Sequence, residues 1–375
     1  MKRRFFLLKY ILSMNLSEII KDKIKVEGSI SFRDFMDIAL YYPELGYYNS
    51  PEIKIGKLGD YYTSPVLSSL FGEMIGQQME EMWILLDKKP FTIVEYGAGT
   101  GVLCQDILKY LKSNPALYEQ LNYCIIEKGE AMQREEKNLL KEKVSWYHSI
   151  NEIPEINGCV LSNELLDNFP VHRVIMKDEL MEIFVDYKNE FVEVLKPANK
   201  DLKNYLLVQN VVLPEDYSTE INTQAIDWLK EIALNLKSGF VLTIDYGYPA
   251  GEFYGSKRSA GTLVCYKEHE VNNSLYSDIG SQDITAHVNF SALNDWGKKC
   301  GLEYTGFTTQ AHFLRSWGLG NYLRKLEMEK VEGNEKIIFQ INKLLVDMGN
   351  KFKVLIQQKG VKSKMLTGTQ FAQPL

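Results

Sequence analysis

From residue 91 onward, short apolar runs alternate with helical stretches. FTIVEYGAGTG (91–101) is an apolar strand ending in an acid and glycines, and QDILKYLKS continues as a helix. LNYCIIEKG (121–129) is a second strand closed by an acid, followed by the charged helix AMQREEKNLLKEK. VSWYHS (144–149) and GCVLSNELLDNFP (158–170) supply a third and a fourth strand. Strands alternating with helices predict βαβ units and a mostly parallel sheet. Upstream, MNLSEIIKDKI reads as an amphipathic helix and Ser31 as the N-cap of FRDFMDIAL. YYPELGYYNSPEIKIGKLGDYYTSP is dense in Tyr, Gly and Pro and predicts a loop. Ser64 as N-cap and Pro65 at the first helical position then open one long helix, whose apolar positions recur to Leu86.

The period changes after residue 171. HRVIMKDELMEIFVDYKNEFVEVLKP (172–197) alternates apolar and polar positions around Lys-Asp and Lys-Asn turns, which predicts antiparallel hairpins. A helix near 219–236 leads into a fifth buried strand, GFVLTIDYGYP (239–249), so 171–237 reads as an insertion between two parallel strands. SALNDWGKKCGL is helical and LEYTGFTTQAHFL a late strand or two. The tail from Met348 to Leu375 has five lysines and no acid, and reads as a solvated end.

Composition narrows the classes. The 375 residues are 45% hydrophobic and 25% charged, which excludes a disordered chain. Lys plus Arg number 43 against 49 Asp plus Glu, a net charge of −6, and this argues against the phosphate backbone of nucleic acid as partner. No run approaches the roughly 20 apolar residues of a membrane span, so the chain reads as soluble. The five cysteines are scattered, without a CxxC pair or zinc-ligand spacing, and are expected to be free buried thiols; no metal is expected. MKRRFFLLKYILS, basic then apolar but interrupted by Lys9, reads as an upstream extension or a misassigned start.

The sharpest chemistry sits at the first strand-to-helix turn. In Glu95-Tyr96-Gly97-Ala98-Gly99-Thr100-Gly101 the glycines allow a tight turn and close approach of backbone N–H groups to a ligand. A nicotinamide fingerprint needs G-x-G-x-x-G, but here the third glycine comes one residue early and Val102 takes the expected place. E-x-G-x-G-x-G is similar to motif I of class I S-adenosylmethionine methyltransferases. A carboxylate such as Glu95 suits that cofactor's ammonium and sulfonium groups. Glu127, ending the second strand, is placed to accept both ribose hydroxyls; the alternative is a solvated loop acid.

YYPELGYY, GDYYTSP, VEYGAGTG, SNELLDNFPVHRV, IDYGYP, GTLVCYKEHEV and QDITAHVNFSAL, in this order, resemble the MidA family of class I methyltransferase-like proteins. The resemblance runs from about Met14 to about Leu314. It implies that Gly97, Ala98, Gly99, Gly101, Ser162 and Asn163 line the cofactor pocket. It also implies that the reaction is methylation of a protein arginine, mitochondrial members being linked to respiratory complex I assembly. Tyr96-Gly97-Ala98 stands where many relatives have Leu-Gly-Pro, and the larger polar ring of Tyr96 is expected to be tolerated if it points away from the cofactor. The loop holding Tyr62, Thr63 and Ser64 is expected to cover it.

Methyl transfer is an SN2 displacement, so acceptor-handling groups belong at the carboxyl ends of the strands. Glu164 and Asp167, one helical turn apart, would clamp a guanidinium, although Asp167 equally suits a plain helix-terminus charge. Asp245 or Tyr246 closes the fifth strand as a candidate or as a simple strand end. His287 is a proton acceptor or a structural hydrogen bonder.

These readings combine into an α/β, doubly wound, Rossmann-like class I methyltransferase sheet with a helical N-terminal cap and an inserted antiparallel substrate region. The expected divisions are an extension (1–14), a cap and cofactor-covering loop (15–90) and the methyltransferase core (91–170 and 238–315). The insertion occupies 171–237, and C-terminal helices with a basic tail follow at 316–375. The expected function is S-adenosylmethionine-dependent methylation of a protein arginine, the substrate protein being a respiratory complex I subunit. The expected location is the cytoplasm, or the mitochondrial matrix in a eukaryote. The rival is a non-catalytic, cofactor-binding assembly factor for a respiratory complex.

Overall fold

The structure is a computed structural model that describes residues 15–50, 63–329, 331, 333–362 and 365–375. The expected extension over the first fourteen residues lies outside the described residues, as do Asp60, Tyr61 and Tyr62 of the covering loop. The chain divides into two compact units. One gathers Met1–Lys54, Asn168–Gln224 and Tyr254–Ala286; the other gathers Ile55–Asp167, Ala225–Phe253 and His287–Leu375. This division departs from the expected one. The segments 15–50 and 254–286 join the insertion, and the helices of 63–90 join the core.

The second unit is built on a sheet of seven main strands, β1 (Phe91–Tyr96), β2 (Leu121–Ile126), β3 (Val144–Tyr147), β4 (Ile156–Asn163), β5 (Leu236–Tyr248), β6 (Glu303–Thr309) and β7 (Phe352–Lys359). Their spatial order is β3-β2-β1-β4-β5-β7-β6, and the short pair Val288–Asn289 runs parallel to the end of β5. Strands β1 to β5 are parallel to one another, and β7 is antiparallel to both β5 and β6. A parallel strand covered on both faces needs apolar side chains on both, which is why Cys159, Val160 and Leu161 of β4 and Phe240, Val241 and Leu242 of β5 run on without alternation. The doubly wound expectation holds, and the chain reverses after β1, carrying the carboxyl ends of β1 and β4 side by side.

Three local expectations are corrected. The tail is no solvated end, because β7 is buried through seven of its eight residues, including Lys353, Gln357 and Gln358. Two of its polar side chains bond inside the fold: Gln357 Nε2 donates to the Leu293 carbonyl at 3.2 Å, and Lys353 Nζ to the Lys351 carbonyl at 3.2 Å. The long helix is two. Ser64–Leu67 makes one turn with Thr63 rather than Ser64 at the N-cap position, Ser68 is extended at φ −160°, and its hydroxyl caps a new helix, Ser69–Leu85. After β6, residues Gln310–Ser316 are helical instead of forming another strand.

The first unit carries the hairpins the alternation predicted, His172–Met176, Leu180–Tyr187 and Phe191–Pro197. With Ile30–Ser31 and Ser218–Ile221 they form a five-stranded antiparallel sheet. Ser31 caps the helix Phe32–Tyr41 by accepting from the Asp34 amide at 3.1 Å. Cys104, Cys124, Cys159 and Cys265 are free and buried, as expected of thiols used for packing. No helix among the described residues is long and apolar enough to cross a membrane.

Candidate active site

The glycine turn takes the shape its composition demands. Gly97, Gly99 and Gly101 have φ of +63°, +58° and +78°, in the left-handed region that favours glycine. The turn closes with the Gly101 amide on the Ala98 carbonyl at 2.9 Å, and Gly97 N–H reaches across to the Ile126 carbonyl at 3.0 Å. Glu95, two residues upstream, is buried and accepts from the Tyr123 hydroxyl at 2.7 Å. Burial pushes its carboxyl up to about 7, with the Tyr123 bond pulling the other way. Tyr96, on the opposite face by strand alternation, meets the Trp228 ring edge-on at 5.6 Å.

Glu127 follows β2 directly. Its Oε1 accepts from the Gly129 amide at 2.6 Å, and burial raises its carboxyl above the usual range. Glu136 was not singled out from the sequence. It sits in the helix Glu130–Leu139, where the run Arg-Glu-Glu-Lys looks like a solvated face, yet it is fully buried. Burial and then the neighbouring Glu127 charge push it up to about 8.

At the end of β4, in register beside β1 and β5, Ser162 and Asn163 bring polar atoms to the sheet edge. Ser162 Oγ and Asn163 Oδ1 are buried and meet no hydrogen-bond partner among the described residues. Glu164 follows at φ +52°, a left-handed conformation that costs a side-chain-bearing residue about 1–2 kcal/mol. Its Oε1 accepts from the Ser64 amide at 3.1 Å and Asn163 Nδ2 at 3.2 Å, so the Thr63–Ser64 segment does reach the SNE stretch. Burial pushes Glu164 up to about 8; the Ser64 bond opposes this and the charge of Asp167 adds to it. Ser64 is held in turn by Gln310, another residue the sequence did not flag, whose Oε1 accepts from Ser64 Oγ at 3.3 Å.

Asp167 is buried in the turn Leu166–Asn168. Asp245, closing β5, accepts from the Leu165 and Leu166 amides at 3.2 and 2.9 Å, so it ties that turn down. Burial first, and then the Asp167 charge, raise its carboxyl well above the usual range. Tyr246 and His287 lie further along the edge, with ring centroids 5.3 Å apart and planes perpendicular. The site residues named from the sequence thus fall into neighbouring groups at one sheet edge: the glycine turn with Glu95 and Glu127, the Ser64–Glu164–Asp167 group with Asp245, and the Tyr246–His287 pair.

Known proteins resemble this chain in sequence and fold. A family model of S-adenosyl-L-methionine-dependent methyltransferases matches residues 74–308. Protein arginine methyltransferase NDUFAF7 homolog, mitochondrial, of Caenorhabditis elegans is 28% identical over 90% of this chain and 85% of its own. Protein arginine methyltransferase NDUFAF7, mitochondrial, of Mus musculus is 28% identical over 81% and 74%. A Burkholderia thailandensis protein solved with S-adenosyl-homocysteine bound superposes with a TM-score of 0.85 at 26% identity, covering 96% of this chain and 95% of that one.

Proposed function

This chain belongs to the family of S-adenosyl-L-methionine-dependent methyltransferases, and from that premise we propose that its acceptor is an arginine side chain of another protein. The observation that carries the reading is the cluster of Glu164, Asp167 and Asp245 at the carboxyl ends of β4 and β5. Buried carboxylates that raise one another are costly, and a guanidinium with its fork of N–H donors is the partner that relieves them. The relatives' names point the same way. The family resemblance extends the proposal to a respiratory complex I subunit as substrate. It also extends to the cytoplasm, or a mitochondrial matrix, as the location.

The residues present fit the cofactor. The glycine turn holds its backbone in the left-handed region that glycine alone adopts freely, Glu127 offers a buried carboxylate just past β2, and Ser162 Oγ and Asn163 Oδ1 are buried without a partner among the described residues. S-adenosylmethionine, once bound, supplies a methyl group on a positive sulfur that leaves as a neutral thioether. Glu164 holds the guanidinium so that one terminal nitrogen faces the methyl. It also concentrates the positive charge on the nitrogens it binds, which returns electron density to the attacking one. An acceptor nitrogen that gains a methyl group must give up one proton. Tyr246 and His287 are our candidates to pass that proton on.

Glu127→Ala is expected to weaken S-adenosylmethionine binding about tenfold to a hundredfold, the roughly 1.5–3 kcal/mol of a charged hydrogen bond. Calorimetry reads it directly, and an unchanged dissociation constant removes Glu127 from the ribose. The acceptor is tested by incubating the protein and methyl-labelled cofactor with lysate of cells lacking it. Label recovered as methylarginine after hydrolysis supports the proposal. Label on another side chain overturns it, and bound cofactor with no transfer favours the assembly-factor reading.

A further inference from the structure

Glu136 is a buried acid with no place in the mechanism so far. It is 0% exposed. The Trp146 indole nitrogen donates to its Oε2 at 2.7 Å, while Oε1 meets no hydrogen-bond partner among the described residues. A half-satisfied buried carboxylate is expensive and needs either a proton or a positive partner. The groups around it supply little positive charge. β1 contributes Glu95, the end of β2 contributes Glu127, and the helix Val102–Leu111 contributes the Cys104 thiol. Tyr123 of β2 is already committed to Glu95. Lys137, beside Glu136 on its own helix, acts more weakly on it than any of burial, Glu127, Trp146 or Glu95. Glu136 also abuts the glycine turn: a Cβ built on Gly101 would lie 3.6 Å from the Glu136 Cα.

We propose that Glu136 is a proton-exchanging acid of the cofactor site, releasing its proton to solvent when S-adenosylmethionine brings a positive sulfur to the glycine turn and regaining one when that sulfur has become neutral. The proposal concerns the donor alone and holds for any acceptor. Burial and Glu127 push the carboxyl up to about 8, so near pH 7 it carries a proton in the ligand-free protein, and a nearby positive charge favours the ionised form. S-adenosylhomocysteine shares the amino acid, ribose and adenine but lacks the sulfonium, and so leaves the proton in place. The site thereby favours donor over product, increasingly as pH rises towards 8.

Calorimetry at pH 7 in two buffers of different ionisation enthalpy counts the protons. Wild type is expected to release more protons on binding S-adenosylmethionine than on binding S-adenosylhomocysteine. Its donor affinity should rise between pH 6 and 8, by up to about tenfold per unit for one linked proton, while product affinity stays flatter. Glu136→Gln keeps an acceptor for Trp146 and should release measurably fewer protons with the donor, with a shallower pH dependence, while still binding it. An unchanged proton count in Glu136→Gln overturns the proposal. Should that variant fail to fold, equal proton release with donor and product in wild type overturns it alone.

Discussion

Glu164→Gln is expected to slow methyl transfer at least tenfold while S-adenosylmethionine affinity stays nearly intact. Glutamine has the shape of glutamate, and its amide oxygen can still accept from the Ser64 amide and Asn163 Nδ2, both of which reach the same oxygen in the wild type. What disappears is the negative charge. If Glu164 merely fixed the Thr63–Ser64 segment, the retained acceptor would preserve function. If it binds guanidinium, losing the charge costs transition-state stabilisation of about 1.4 kcal/mol or more, the equivalent of a factor of ten. The pH profile gives a second reading. Burial raises this carboxyl to about 8, so the ionised form that binds a cation accumulates as pH climbs towards 8. Wild-type kcat/KM should therefore rise over that range, and the variant should lose the part of the rise that belongs to Glu164. Equal rates in the two proteins would take Glu164 out of the mechanism and shift weight to the assembly-factor reading.

Gly99→Val should abolish measurable S-adenosylmethionine binding and leave a folded protein. Gly99 sits at φ +58°, between Gly97 and Gly101 at positive φ, so the turn depends on three residues in a region that L side chains rarely adopt. A β-branched side chain there strains the backbone and fills space over the turn that the cofactor needs. The backbone term alone, about 1–2 kcal/mol, is small against the 5–15 kcal/mol that hold a domain folded. Loss of binding with a preserved circular dichroism spectrum and cooperative melting is the expected pair of results. A dissociation constant within a few-fold of wild type would show that the cofactor does not lie against this turn.

The sequence alone determined what depends on neighbours along the chain. Continuous apolar runs marked β1, β2, β4 and β5, because a doubly covered strand has no polar face to spare. Glycines two residues apart marked the turn, because the left-handed backbone excludes most other side chains. Ser31 marked a helix start, since its hydroxyl needs only the amide three residues on. Tertiary structure alone decided the rest. Strand β7 was hidden because Lys353, Gln357 and Gln358 look solvated until the folded chain buries them, the distant Leu293 carbonyl accepting from Gln357 Nε2. Ser68 broke an apparently unbroken helical pattern, because apolar spacing records which face is buried and not whether the backbone stays wound through it. Glu136 resembled its exposed neighbours in a charged helix, and only packing against the glycine turn removed it from water. Glu164 and Ser64 are one hundred positions apart, and no local rule pairs a carboxylate with an amide at that range. Local backbone chemistry is written residue by residue, whereas desolvation and long-range hydrogen bonding exist only once the chain has closed around them.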